Sequence, residues 1–168
     1  MDDALNPAAA ASAADRPALF LRAQYVKDLS FENPRAPGSI FTLREAPAME
    51  VAINLGVQRL DEYVYELAIQ ISVRATSDKT TVFLCDLVYA GVIEVQNIAE
   101  EALDQAIYIT GAQLLYPFAR RVVADLTRDG GFPPLQLEPM DFVGLYRDQR
   151  LKQTQQPILK PDLAGSGT

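Results

Sequence analysis

The first strongly patterned segment of the chain alternates apolar and polar side chains and stops at Asn33-Pro34. Because successive side chains of a strand point to opposite faces of a sheet, this alternation predicts a strand. With Lys27 as the exception, the predicted apolar face carries Leu19, Leu21, Ala23, Tyr25, Leu29 and Phe31. The predicted polar face carries Arg22, Gln24, Asp28, Ser30 and Glu32.

Three further strands follow at the same period. Alternation predicts a second strand over 49–58 and a third, with the cleanest pattern, over 63–74. Ser77-Asp78-Lys79 predicts a hairpin turn into a fourth strand over 80–95. These four strands therefore form the first half of the domain.

The fourth strand is apolar on both faces. Phe83, Cys85, Leu87 and Tyr89 share one face, whereas Leu84, Asp86 and Val88 share the other. A strand that is apolar on both sides is usually buried on both. Four strands and a few helices cannot cover two faces of a sheet, so this pattern predicts that another subunit or a partner supplies the missing cover.

The period changes to that of a helix after the fourth strand. Asn97 and Glu100 have the spacing of a capping box, which predicts a helix start at Asn97. A second helix is predicted with Pro117 in its first turn and an end at Gly130-Gly131. A last helix is predicted over 141–152.

Consecutive strands followed by helices predict an α+β fold. The expected architecture is a four-stranded antiparallel meander with helices on one face and solvent on the other. Residues 1–17 are expected to form a flexible arm, 18–152 the folded domain and 153–168 a flexible tail.

Composition narrows the possible functions. The chain has 22 acidic and 15 basic residues and a net charge of −7, which disfavours nucleic acid and anionic membrane and suits a basic protein partner. It has no histidine and one cysteine, so we expect no enzyme, no metal or cofactor site and a reducing compartment. Without a signal peptide or a membrane-length apolar run, the expected location is the cytoplasm.

Four segments resemble the SecB family of export chaperones, in unbroken order from about residue 20 to residue 153. They are 25–34, 83–86, 115–120 and 131–142. The resemblance implies an ATP-independent holdase chaperone that assembles as a homotetramer, a dimer of dimers. It implies that the chaperone binds unfolded precursor proteins and delivers them to the SecA motor of the Sec pathway.

The resemblance also implies three sets of site residues. A patch that receives the basic, zinc-bearing C-terminal tail of SecA corresponds to Asp28, Glu32, Leu84 and Asp86, with Asp86 in place of the expected glutamate. Positions that support the tetramer correspond to Cys85, Leu87 and Tyr89. Client grooves are expected to use Phe41, Tyr63, Tyr65, Tyr116, Phe118 and Phe142. The chain has no tryptophan, unlike the crossover region expected for the family.

The residues alone also allow other interpretations. Asp28 and Glu32 can simply keep a sheet face soluble, and the aromatic residues can be ordinary core. Two alternative functions are a SecB-like chaperone of a toxin–antitoxin system and a non-enzymatic domain that binds a small apolar ligand.

Overall fold

A computed structural model describes residues 16–42 and 45–155 of the chain. Its strands are β1 (Ala18–Glu32), β2 (Ala48–Asp61), β3 (Val64–Ser77) and β4 (Thr80–Gln96). Its helices are α1 (Gly38–Thr42), α2 (Glu100–Gln105), α3 (Ala112–Asp129) and α4 (Phe142–Gln155), and a π-helical segment (Ala106–Gly111) joins α2 to α3. Most of the predicted arm, all of 156–168 and residues 43–44 lie outside the described residues. The predicted tail begins inside α4, whose backbone continues to Gln155.

The sheet confirms the predicted α+β architecture but not the predicted meander. All pairs are antiparallel, yet the strand order is β1-β4-β3-β2. Only β2, β3 and β4 form a meander, and the connection over 33–47 carries the chain from one edge of the sheet to the other. The physical reason is that β4 is apolar on both faces, which suits an interior strand with a hydrogen-bonded neighbour on each side.

Strand β1 changes face twice. Its pairing with β4 shifts between Leu21 and Ala23 and again between Val26 and Asp28. Each shift inserts one extra residue and so reverses which side chains face the helices. The predicted apolar face is therefore wrong in its middle. Leu19, Leu21, Leu29 and Phe31 pair with helix-side residues of β4, whereas Ala23 and Tyr25 pair with Val92 and Ala90 on the opposite, open face.

The core lies between the sheet and one long helix. We call residues 100–129 the central helix, because α2, the π segment and α3 run without a break. Leu115, Ala119 and Val123 of α3 are fully buried against the sheet. The sheet contributes alternate residues of β3 and β4, chiefly Leu67, Ile69, Ile71, Val73, Phe83, Cys85, Leu87 and Ile93.

The central helix replaces two predicted helices. Ala99 occupies the N-cap position and makes no side-chain cap, so the predicted capping box is wrong. Asn97 instead has φ +54°, a left-handed conformation that asparagine tolerates at the end of β4, and its side-chain amide donates a hydrogen bond to the Arg16 carbonyl at 3.3 Å.

Pro117 lies inside α3 rather than in a first turn. Its missing N–H deprives the Gln113 carbonyl of a partner, but Gln113 is exposed and water can bind there. The packing of the apolar stripe across the junction therefore outweighs the proline. The predicted end at Gly130-Gly131 is correct, since Gly131 has φ +90° and its N–H bonds the Arg128 carbonyl at 3.0 Å.

Two strand glycines provide a matched test of this packing. A Cβ on Gly91 would lie 2.7 Å from Leu115 Cδ2 and 2.8 Å from Leu21 Cδ1, whereas a Cβ on Gly56 would meet nothing within 4 Å. We expect Gly91→Ala to lower the free energy of unfolding by about 1–3 kcal/mol because the core is overpacked. Gly56→Ala should leave it unchanged or raise it by up to about 1 kcal/mol. Urea denaturation at one protein concentration measures both, and equal effects would contradict this packing.

Candidate functional site

The open face of the sheet brings together the four residues predicted to form a docking patch. Glu32 pairs with Leu84, and Ser30 pairs with Asp86. Asp28 is in phase with Ser30 and Glu32, so all four predicted residues lie on the same face of the sheet. Asp28, Glu32 and Asp86 are exposed, and Leu84 is half-buried. We call Asp28, Glu32, Leu84 and Asp86 the acidic patch. Because they lie on two hydrogen-bonded strands, the sheet holds their spacing rigidly.

The acidic patch continues into a shallow hollow of about 310 Å³ toward β2. Ser72 of β3 donates a hydrogen bond to Asp86 Oδ1 at 2.6 Å, which orients this carboxylate. Arg74 pairs with Leu84 in the next register position, and Glu50 lies beyond it on β2. The sequence pattern does not single out Arg74 and Glu50, because only the strand register shows that they adjoin the acidic patch.

A second cluster of polar side chains on the open face spans three strands, from β1 over β4 to β3. Lys27 of β1 forms an ion pair with Glu66 of β3, and the Tyr25 hydroxyl donates a hydrogen bond to Glu66 Oε2 at 2.5 Å. We call Tyr25, Lys27 and Glu66 the Glu66 cluster. The hydrogen bond from Lys27 is the largest cause that lowers the pKa of Glu66, and the hydrogen bond from Tyr25 is the next. The hydrogen bond to Glu66 in turn raises the pKa of Tyr25. Glu66 is therefore held ionised.

A neighbouring ion pair on the open face has its own partners. Arg22 Nε donates to Glu94 Oε2 at 2.6 Å, and Gln96 donates to the other oxygen at 2.9 Å. These bonds lower the pKa of Glu94, with the Arg22 hydrogen bond as the largest cause. Arg22 and Lys27 lie at the two register shifts of β1, so both shifts turn a cation toward a carboxylate on the open face.

Cys85, Leu87 and Tyr89 lie on the helix side of β4, directly beneath the central helix. Their exposed fractions are at most 5%, and they belong to the main hydrophobic core. Burial, and secondarily the charge of Asp86, raises the pKa of the Cys85 thiol to about 11. Their predicted support of a tetramer remains a prediction, acting through the packing of the central helix.

Two apolar hollows run along the edge strand β2. One, of about 480 Å³, lies between α1, Met49 and residues 131–136. The other, of about 330 Å³, lies between Val51, Ile53, Tyr116 and residues 135–140. Both are lined by Leu135 and Gln136, so they adjoin, and together we call them the edge groove. Its outer wall, residues 131–140, is held by hydrogen bonds from the Leu135 N–H to Thr127 Oγ1 at 2.9 Å and from the Tyr116 hydroxyl to the Glu138 carbonyl at 2.7 Å.

A third hollow, of about 250 Å³, lies further along β2 and is more polar than the edge groove, with Arg59, Asp104 and Arg150 in its lining. Tyr65, Tyr108 and Tyr146 form its aromatic walls. Arg150 lies at its rim, bonded to Asp104 at 3.1 Å and to the Tyr146 hydroxyl at 3.0 Å. The apolar character of the edge groove therefore ends where α4 meets the central helix.

The structure divides the six aromatic residues predicted to line client grooves. Tyr116 lines the edge groove, and Phe142 supports it by an edge-to-face contact at 5.3 Å between ring centroids. Tyr65 lines the polar hollow. Phe41 is 84% exposed on α1, next to the groove residue Ile40. Tyr63 and Phe118 are exposed but line none of these three hollows.

A separate apolar surface combines β1 with the central helix. Val26 and Leu29 of β1 are 44% and 41% exposed, although they pair with helix-side residues of β4. Leu114 and Phe118 of α3 are similarly exposed. Apolar side chains left open beside an unpaired edge strand are typical of a surface that another protein covers.

Comparison with known proteins now assigns the chain to a family. The family model described as preprotein translocase subunit SecB matches residues 12–154. The chain belongs to the SecB family. The resemblance found in the sequence is confirmed, and the SecB family is one of protein-export chaperones.

The sequence of this chain aligns with those of curated relatives over most of their length. The protein-export protein SecB of Rhodopseudomonas palustris (strain BisB5) is 47% identical over 83% of this chain and 89% of its own. That of Rhizorhabdus wittichii is 49% identical over 82% of each chain, and that of Maricaulis maris is 44% identical over 91% and 89%. The chain therefore spans almost the whole of these SecB proteins.

A solved structure shares the SecB-like fold. The Mycobacterium tuberculosis SecB-like chaperone Rv1957, in complex with a ChAD peptide from the HigA1 antitoxin, aligns with a TM-score of 0.61. The alignment covers 79% of this chain and 95% of the mycobacterial one at 22% identity. Within the residues that the structure describes, no helix is long and apolar enough to cross a membrane.

The buried thiol gives a test of the core of this SecB chain. With a pKa of about 11 rather than the ordinary 9.0, only about 0.1% of the Cys85 thiol ionises at pH 8, against about 10% in the unfolded chain. We expect iodoacetamide to modify the folded protein at least about 100-fold more slowly than the protein in urea. Cys85 is the only cysteine, so mass spectrometry reports this site alone.

The same shift has a defined effect on stability. The folded protein binds the thiol proton more tightly than the unfolded chain does, so this contribution to stability falls as the pH rises from about 9 toward 11.

In the iodoacetamide experiment, a modification rate in native buffer close to that in urea would contradict the burial of Cys85.

Proposed function

We propose that this SecB protein is a cytoplasmic, ATP-independent holdase. It binds unfolded precursor proteins, keeps them competent for translocation and delivers them to SecA. The observation that carries the proposal is the edge groove, which places apolar hollows beside an unpaired strand edge. The role requires no catalytic group and no cofactor.

An extended apolar segment suits the edge groove in two ways. Among residues 16–42 and 45–155, strand β2 has a hydrogen-bonded neighbour only in β3, so its outer N–H and C=O groups are available to an added strand. Met49 and Val51, both about two-fifths exposed, face the hollows and favour apolar side chains. Backbone pairing is indifferent to sequence and apolar burial is permissive, so many unfolded clients can bind.

The acidic patch supports delivery to a basic partner. Three exposed carboxylates on adjacent strands attract lysine and arginine over a distance and then form charge-assisted contacts. The half-buried Leu84 opposite Glu32 offers an apolar contact that a merely solvated face does not need. These features match the basic, zinc-bearing tail of SecA, in which the zinc belongs to the partner.

The exposed apolar surface on β1 and the central helix supports assembly. Val26, Leu29, Leu114 and Phe118 are covered by a second copy of the chain in our proposal, and pairs of such dimers form the tetramer. This gives Phe118 a role in assembly rather than in the client groove. Cys85, Leu87 and Tyr89 then act indirectly by setting the height of the central helix above the sheet.

The holdase proposal is tested by refolding of a slow-folding precursor. Excess chaperone should slow refolding without ATP, and Val51→Asp should weaken client binding at least about fivefold because it places a charge in an apolar groove. Light scattering and precursor fluorescence measure the arrest and its concentration dependence.

Val143→Asp is the matched control. Val143 is 45% exposed, close to the 43% of Val51, but it lies on α4 outside the edge groove. It should arrest refolding like the wild type. Unchanged refolding with excess wild type contradicts the holdase role, and equal losses in both variants contradict the groove as the client site.

Charge reversal tests the docking patch. Asp28→Lys combined with Glu32→Lys should weaken binding of SecA about tenfold or more at low salt, because like charges then meet the basic tail. Calorimetry with the zinc-loaded SecA tail measures the affinity, and light scattering should still give about four times the mass of one chain.

Glu100→Lys with Glu101→Lys makes the same change in net charge at the exposed start of α2. This control should change the affinity less than about threefold. Equal weakening by the two double variants would reject the patch in favour of overall charge, and a stable monomer of the wild type would reject the proposed assembly.

A further inference from the structure

Two consecutive residues of β1 lie on the same face of the sheet. The register shift between Val26 and Asp28 breaks the alternation, so Lys27 and Asp28 both face the open side. An ammonium group is therefore next in the chain to a carboxylate of the acidic patch. Left alone, this cation would occupy the position that a basic partner needs.

Glu66 holds that ammonium group elsewhere. It belongs to β3, which β4 separates from β1, so Lys27 must extend across the sheet to reach it. Tyr25 extends in the same direction, above the fully buried Ala90, and donates to the second oxygen of Glu66. Both oxygens of the carboxylate are thus used by β1.

The pair is more than an exposed contact between mobile side chains. The Glu66 side chain is only 12% exposed, whereas that of Lys27 is 47% exposed. The nearby cation Arg22 is already bonded to Glu94 at 2.6 Å. Glu66 is therefore the carboxylate that determines the direction of Lys27, and a lower exposure makes the ion pair less screened by salt.

We propose that Glu66 is a positioning residue for docking, which holds Lys27 away from Asp28 and so keeps the acidic patch available to lysine and arginine side chains of the partner. This inference rests on the proposed docking of SecA. It assigns a role to a residue that lies outside the acidic patch and acts through Lys27.

A charge cycle tests the proposal. Glu66→Gln should weaken binding of the zinc-loaded SecA tail about fivefold at low salt, because the freed Lys27 competes with the tail. Lys27→Gln alone should stay within about twofold of the wild type. The double variant should also return to within about twofold, since Lys27 no longer competes with the tail.

The double variant and a control decide between the explanations. If it binds as weakly as Glu66→Gln, the charge or packing of Glu66 itself matters and the proposal is overturned. Glu94→Gln removes one open-face carboxylate and frees Arg22 six positions before Asp28, so it should cost less than about twofold. An equal loss in Glu94→Gln would attribute the effect to the overall field and also overturn the proposal.

A measurement without the partner separates this inference from the docking proposal. In a crystal structure of the Glu66→Gln chaperone alone, the Lys27 ammonium should turn toward Asp28. If it still lies over residue 66, the positioning role is rejected whether or not the tail binds. If Lys27 turns but the wild type does not bind the tail, the positioning geometry holds, the docking proposal fails, and the assigned role in docking falls with it.

Discussion

Strand β4 must be buried on its helix side and paired along both edges, and the rest of the structure depends on that constraint. Its helix-side residues Cys85, Leu87 and Tyr89 have exposed fractions of at most 5% beneath the central helix. Both edges are satisfied only because β1 pairs with β4 and the connection over 33–47 then crosses to the far edge of the sheet. The crossing leaves β2 as the opposite edge, and so the requirement of β4 for an interior position creates the open strand beside the edge groove.

The register shifts in β1 allow one strand both to pack against the helices and to build the polar open face. Leu19 and Leu21 before the shifts, and Phe31 after them, pack toward the helices, as an apolar strand should. Between the shifts, the phase reverses, so Tyr25 faces the open side and reaches Glu66. An unbroken strand would place Lys27 and Asp28 on opposite faces. The shifts therefore build the polar surface while preserving the core at both ends.

Elements in which a single period dominates are predicted well from the sequence. Alternation predicts β2, β3 and β4 to within a few residues, and the hairpin turn expected between β3 and β4 forms with Asp78 and Lys79 at positive φ. Features that depend on distant partners are not predicted by the local pattern. The strand order depends on which neighbours β4 accepts, and the face of Tyr25 depends on pairing with β4. Local propensity favours Pro117 in a first turn, but packing against the sheet keeps the helix intact around it.

The alternation of β2 gives one strand two functions in the proposed mechanism. Met49 and Val51 face the edge groove, whereas Glu50 between them faces the open side and lines the hollow that reaches Leu84 and Asp86. A client segment added to the edge of β2 would extend the sheet by one strand, about 4.8 Å, on the side away from β1. It would lie beside Glu50 without covering Asp28 or Glu32. Client binding and docking of the motor protein are therefore compatible on one subunit, which a chaperone that delivers its cargo requires.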